Sequence, residues 1–193
     1  MTDQIERALS VLARDGLVVY PTETVYGLGA DALSDEAIRS VYDSKRRPLS
    51  QPVSIAVADP EMLATVARLD PLAGEFVDRF LPGPFTVLVR ARPVLPAQLH
   101  CGTGLVGVRI PTHPIAVELL TRFDAPITAT SANTHGAPDP ATVADVHCYR
   151  DFTIDSGRLP GTPSTVVDLV NRTITRPGPG VEDAIAFLRG GGA

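Results

Sequence analysis

Tyr20-Pro21-Thr22-Glu23-Thr24-Val25-Tyr26-Gly27-Leu28-Gly29-Ala30 is the stretch on which the reading of the fold turns. It follows Leu17-Val18-Val19-Tyr20, a short apolar run of the kind that forms a buried strand. Pro21 lacks a backbone donor and fixes φ, so the strand is expected to stop there. Thr22, Glu23, Thr24 and Tyr26 then offer hydrogen-bonding side chains, and Gly27 and Gly29 let backbone come close to something else. A polar loop at the end of a buried strand is where open α/β sheets place ligands. A plain glycine-containing turn is the alternative.

Outward from this stretch the chain alternates helices and strands. Asp3 to Asp15 carries Ile5, Ala8, Leu9 and Leu12 on one helical stripe, and Gly16 ends it. Ser34 can cap a helix with Asp35 and Glu36 in its first turn and Ile38, Val41 and Tyr42 on its buried face. Pro48 forbids its continuation. Val53–Val57 reads as a strand, and Asp59-Pro60 and Asp70-Pro71 as capped helix starts. Further strands are expected at Phe85–Val89, Leu105–Ile110, Phe152–Ile154, Thr165–Val170 and Thr173–Arg176. Further helices are expected from His113-Pro114 to Phe123, in short form from Asp139-Pro140, and over Val181–Arg189. Thr165–Val170 and Thr173–Arg176 are joined too briefly for a crossover and form a hairpin. The class is therefore α/β, with a twisted open mixed sheet and helices on its faces. No repeat or linker divides the chain, so residues 1–193 read as one domain, with 190–193 as a flexible tail.

A net charge of −5 argues against a generally basic nucleic-acid binder, although a local basic cleft stays open. No apolar run reaches membrane-spanning length and no signal peptide is visible, so a cytoplasmic protein with no membrane association is expected. Cys101 and Cys148 each follow a histidine. Side chains on neighbouring residues diverge, which suits a shared zinc site poorly. No metal ligand set and no P-loop are assigned.

Ser44-Lys45-Arg46-Arg47-Pro48 contains the only lysine in the chain. A compact ammonium beside an arginine fork suits phosphate, while a solvated helix end is the alternative. Truncating Lys45 at such a polar end is expected to cost little stability. Together with Pro21–Gly29, this run resembles the YrdC-like family of threonylcarbamoyl-adenylate synthases. Pro82-Gly83-Pro84-Phe85-Thr86, Thr130-Ser131-Ala132-Asn133 and Pro163-Ser164-Thr165-Val166-Val167-Asp168 fit the same pattern, in the family's order.

The resemblance implies a concave, basic ligand face and a set of residues on it. Lys45 and Arg47 would contact the nucleotide phosphates and carry the catalysis, with Arg46 pointing elsewhere. Ala132, Asn133 and Arg176 would complete the nucleotide site. Thr22, Ser54, Arg109, Thr130, Ser131 and Ser164 would hold L-threonine, Arg109 through its carboxylate. Several have a structural alternative: Thr22 closing its own turn, Ser54 packing in its strand, Arg109 in a salt bridge, Ser131 and Asn133 in a cap. Glu23 receives no catalytic role. Leu105 replaces a usual Ser or Thr, and Thr134-His135-Gly136 replaces x-Ser-Gly, leaving His135 unexplained. The chain ends soon after Arg176, as in the short TsaC-type members.

The implied reaction is that of an L-threonylcarbamoyladenylate synthase, a nucleotidyltransferase. L-threonine, bicarbonate and ATP with Mg²⁺ give threonylcarbamoyl-AMP and pyrophosphate. A TsaD-type transferase partner would carry the group to tRNA adenosine, and weak direct tRNA binding is left open. One rival is a double-stranded RNA or tRNA-binding module of the same fold, which the acidic total and sparse aromatics oppose. The other is a carbamoyl-transfer domain like those of hydrogenase maturation proteins.

Overall fold

The computed structural model describes residues 2–190. The tail expected at 190–193 lies outside them except for Gly190, which ends the last helix. The strands are β1 (Val18–Pro21), β2 (Tyr26–Gly29), β3 (Ile55–Ala56), β4 (Ala67–Arg68), β5 (Phe85–Ala91), β6 (Leu105–Arg109), β7 (Ile127–Thr128), β8 (Thr130–Ser131), β9 (Phe152–Thr153), β10 (Thr165–Asp168) and β11 (Thr173–Arg176). The helices are α1 (Thr2–Leu12), α2 (Asp35–Lys45), α3 (Pro60–Val66), α4 (Pro71–Phe80), α5 (Ala97–His100), α6 (Pro114–Phe123) and α7 (Val181–Gly190).

Two mixed sheets replace the single sheet expected. One has four strands in the order β8-β2-β1-β9; the other runs β11-β10-β5-β6-β3-β7, with β4 added against β5. Parallel pairing occurs at β1/β9, β10/β5 and β3/β6, and the β10/β11 hairpin is antiparallel as expected. The chain crosses from one sheet to the other within five residues. β7 pairs with β3, Ala129 N–H donates to Ser54 O at 2.7 Å, and β8 pairs with β2.

β1 lies between two cores, which explains its unbroken apolar run. Val18 and Tyr20 belong to a cluster with Ile5, Leu12, Leu119 and Leu120 of α1 and α6. Val19 belongs to the larger cluster, with Ile38, Phe76, Val87 and Val108. Period-2 alternation sends successive side chains to opposite cores. In the larger core Phe76 stacks near Phe80, Phe85 and Phe187, with ring centroids 4.5–5.6 Å from its own.

The opening stretch needs a correction. Only residues 22–25 form a loop; Tyr26–Gly29 is a strand antiparallel to β1. Its glycines make room for protein rather than for a ligand alone, since a Cβ at Gly29 would stand 2.9 Å from the Tyr20 ring. The helix expected from Asp139-Pro140 is absent as well. A 3₁₀ turn, Val143–Asp145, starts later and is closed by Thr142 and Asp145, so Asp139 has no capping duty. Ser34, Asp59 and Asp70 do cap their helices, accepting from Ala37, Met62 and Ala73 N–H at 3.2, 2.7 and 2.8 Å. Of Val53–Val57, only Ile55 and Ala56 pair as a strand. The short elements β4 and α5 had no periodic signal.

Candidate active site

A cavity of about 170 Å³ opens where the two sheets meet. Thr22, Gly27, Thr130 and Ser131 line it from the four-stranded side. Thr86, Arg109 and Val166 line it from the seven-stranded side, with Ser54, Ser164 and Arg176 beside them. Register produces this meeting: Gly27 faces Ser131 across β2/β8, and Thr86 faces Val166 across β5/β10.

The end of α2 sets its three basic residues apart. Arg46 takes the left-handed conformation (φ 50°), and its N–H and that of Arg47 close the helix on Asp43 O and Tyr42 O. The reversal turns Lys45 into the protein, leaves Arg46 exposed, and brings Arg47 to the cavity wall. Arg47 is braced by donating to Gln51 O at 3.2 Å and Pro52 O at 2.8 Å.

Lys45 is not on that wall. It is 1% exposed, and its ammonium donates to Ser131 O, to Asn133 O at 2.7 Å and to Asn133 Oδ1 at 2.8 Å. Ser131 Oγ donates to the same Asn133 Oδ1 at 2.8 Å. Lys45 therefore ties the segment 131–133 from behind, and Ala132 and Asn133 also lie behind the wall, buried. No carboxylate lies within ion-pair distance among the described residues. Burial pulls the ammonium down to about 8, opposed by Cys148, reinforced by Arg47 and opposed again by Asp139. The expectation of an exposed, polar helix end at Lys45 is thus corrected.

Arg109 is 6% exposed and does make the salt bridge held open as its alternative. One terminal nitrogen pairs with Glu23 Oε1, and the other donates to Thr24 Oγ1 at 3.3 Å. Glu23 Oε2 is itself fixed by Thr112 N–H at 3.1 Å. Arg109 Nε has no acceptor. A buried donor left unmade costs about 1–3 kcal/mol, so the guanidinium is held but not saturated.

Thr22 also follows its structural alternative. Its hydroxyl donates to Val25 O at 2.7 Å and accepts from Thr24 and Val25 N–H, so it shapes the wall with its hydrogen bonds already committed. Ser54 and Thr130 differ, because neither hydroxyl has a hydrogen-bond partner among the described residues. Gly107 makes room for Ser54: a Cβ there would collide with its hydroxyl and stand 3.2 Å from Thr86 Cγ2. Ser164 is shared, 2.8 Å from Thr86 Oγ1 and accepting from Arg176 at 3.0 Å, while Arg176 Nε donates to Ser164 O at 3.0 Å. Arg176 stands at the exposed rim. Partial burial of its guanidinium holds it below its ordinary range, opposed by Asp139 and reinforced by Arg109.

Eight of the expected site residues thus line one cavity: Thr22, Arg47, Ser54, Arg109, Thr130, Ser131, Ser164 and Arg176. The sequence reading missed Tyr20, Thr86 and Asp139. Tyr20 is hidden in an apolar run, and Asp139-Pro140 reads as a helix start. Thr86 follows Phe85 in a strand, where alternation could have marked it as facing away from the core. Leu105 and His135 do not line the cavity; His135 is exposed, and only its N–H engages, donating to Lys45 O at 2.8 Å. No helix among the described residues is long and apolar enough to cross a membrane.

The family model Sua5/YciO/YrdC, described as telomere recombination, matches residues 10–178. A threonylcarbamoyl-AMP synthase of Pyrococcus abyssi is 37% identical over 185 residues, covering 91% of this chain and 54% of that protein. The chain thus spans about half the length of that relative. A threonylcarbamoyl-AMP synthase of Klebsiella pneumoniae is 30% identical over 184 residues, covering 92% of this chain and 97% of that one. The crystal structure of P. abyssi Sua5 complexed with L-threonine superposes with a TM-score of 0.88 at 36% identity, covering 94% of this chain and 57% of that one.

Proposed function

The chain belongs to the Sua5/YciO/YrdC family, and on that premise we propose that it is an L-threonylcarbamoyladenylate synthase. One observation carries the reading. Residues from widely separated motifs converge on a single cavity with three arginines and unpartnered hydroxyls, in a fold that in P. abyssi Sua5 is seen with L-threonine.

The enclosed part of the cavity is smaller than the roughly 300–1,000 Å³ of drug-sized sites. It suits an amino acid, and the nucleotide extends across the open mouth. Arg109, whose guanidinium is fixed on the cavity wall by Glu23 and Thr24, takes the threonine carboxylate, and the free hydroxyls of Ser54 and Thr130 line the same wall. Arg47 and Arg176 neutralise the phosphates. Lys45 supports them from behind by holding Ser131 and Asn133 in place. The nucleophile forms when the neutral threonine amine bonds to the carbon of carbon dioxide and gives up a proton. Bicarbonate takes up one proton in yielding that carbon dioxide and water, so the sum is amine plus bicarbonate giving carbamate plus water. A carbamate oxygen then bonds to the α-phosphorus as the bond to pyrophosphate breaks. Positioning and preorganised positive charge carry such a displacement, without a covalent enzyme intermediate. Mg²⁺ on ATP supplies further charge neutralisation at the phosphates. The product would pass to a TsaD-type transferase in the cytoplasm for modification of tRNA.

Pyrophosphate release is the direct test. It should require threonine, bicarbonate and Mg-ATP together. Release indifferent to threonine would remove the reading.

A further inference from the structure

We propose that Asp139 is the protein's ligand for the divalent cation that accompanies the nucleotide, an assignment that rests on reading the cavity as an ATP site. Asp139 is the single carboxylate among the residues lining the cavity; the other charged ones are Arg47, Arg109 and Arg176. A carboxylate that shares a cavity with three guanidinium groups would ordinarily close an ion pair with one of them. Asp139 makes none among the described residues. Its Oδ1 accepts from Asn133 Nδ2 at 3.3 Å, and Oδ2 has no hydrogen bond. That contact is the longest of three made by Asn133 Nδ2, which also donates to Ala137 O at 2.5 Å and Pro138 O at 3.2 Å, so the carboxylate keeps most of its acceptor capacity.

The residue is also held in place. Asn133 Nδ2 donates to Pro138 O at 3.2 Å, Tyr26 N–H donates to Pro140 O at 3.0 Å, and Lys45 anchors Asn133 in turn. Thr142 and Asp145 close the 3₁₀ turn without it, so no cap explains it. Asp139 lines the cavity together with Arg176, which the proposed reading gives to the phosphates, and its charge acts on Arg176 and on Lys45 behind the wall.

A bare carboxylate beside a polyphosphate is repelled by it. A cation between them reverses the sign of that interaction. Mg²⁺ in nucleotide sites is held by one or two carboxylates together with substrate phosphates and water, and one fixed carboxylate fits that requirement. The contact is either direct or through a cation-bound water.

The test measures ATP affinity by calorimetry in EDTA and in excess Mg²⁺, for the unaltered protein and for Asp139→Asn. The amide keeps the shape and can still accept from Asn133. Mg²⁺ should tighten ATP binding to the unaltered protein. Asp139→Asn should lose about tenfold of that gain, while binding metal-free ATP at least as well, because the repulsion is gone. Mn²⁺ titrated into the ATP complex and followed by electron paramagnetic resonance should show the same loss in both Asp139→Asn and Asp139→Ala. An equal Mg²⁺ gain in variant and unaltered protein overturns the assignment. So does weakened threonine binding with an unchanged Mg²⁺ gain, which would give the carboxylate to the amino-acid ammonium. If the unaltered protein bound no ATP in either medium, the synthase reading itself would fall, and the assignment with it.

Discussion

Lys45 shows how one buried charge links stability to activity. Its ammonium satisfies two backbone carbonyls and a side-chain amide oxygen. Lys45→Ala should therefore lose most activity and also cost stability, as denaturant melts would read. The cost is about 1–3 kcal/mol for Asn133 O, which has no other donor among the described residues, whereas Ser131 O and Asn133 Oδ1 keep Asn133 N–H and Ser131 Oγ. The folded group titrates at about 8 against an ordinary 10.5. Between those values the unfolded chain binds more protons, so this residue's contribution to stability rises with pH across that window. Below pH 8 the cost of burying the ammonium is carried in full. Activity should move the opposite way and fall as pH rises through about 8. Lys45→Met should abolish the stability trend, and a trend that survives in Lys45→Met must belong to another group. Arg109 has a different signature. Arg109→Lys should weaken threonine binding more than ATP binding, because an ammonium cannot keep Glu23 and Thr24 while offering a further fork to a carboxylate. Unchanged threonine affinity, or equal losses for the two ligands in titrations, would make Arg109 structural or shared between the ligands.

At the scale of elements, two glycines in regular structure point to opposite outcomes. Gly74 lies within α4, and a Cβ there would meet nothing within 4 Å. Gly74→Ala should stabilise the protein by about 0.5–1 kcal/mol, since glycine loses more backbone freedom on folding and the site has space. Gly107 lies in β6 against Ser54 and Thr86. Gly107→Ala should destabilise by about 1–3 kcal/mol through overpacking. It should also weaken threonine binding, because the hydroxyl of Ser54 must move. A Gly107→Ala protein with unchanged threonine affinity would show that Ser54 does not face the amino acid. The β1/β2 hairpin makes a related point. Its glycines read as ligand-approach positions, yet Tyr20 fills the space beside them, and Gly27 alone of the pair reaches the cavity.

The whole molecule places its candidate ligand cavity at the join of two sheets, and ligands bound there should therefore brace that join. Threonine and Mg-ATP at about a hundred times their dissociation constants should each add close to 2.7 kcal/mol, seen as a rise in melting temperature. Arg109→Lys should lose most of the threonine shift while keeping the nucleotide shift. Away from the site, the aromatic cluster ties α4, β5 and α7 together. Phe76→Ala should cost about 3–5 kcal/mol without changing the ligand shifts measured in the protein that still folds.

Local signals in the sequence were enough for most helices, because a cap, a proline at the first turn and a stripe of apolar residues act within a few residues of each other. The caps at Ser34, Asp59 and Asp70 and the β10/β11 hairpin are of this kind. Motif order was enough to name eight cavity residues and the family. Strand partners were a different matter. β7 and β8, each two residues long, have no period to read, and only their partners β3 and β2 divide the strands into two sheets. The same holds for charge. Whether Lys45 meets solvent, phosphate or carbonyl oxygen depends on the left-handed turn at Arg46 and on a segment 86 residues further along the chain. Asp139 reads in sequence as a helix cap, and only the later start of the turn at Val143 leaves its carboxylate to share the cavity with the arginines. Capping is decided by neighbours in sequence, whereas the environment of a charge is set by groups that only folding brings together.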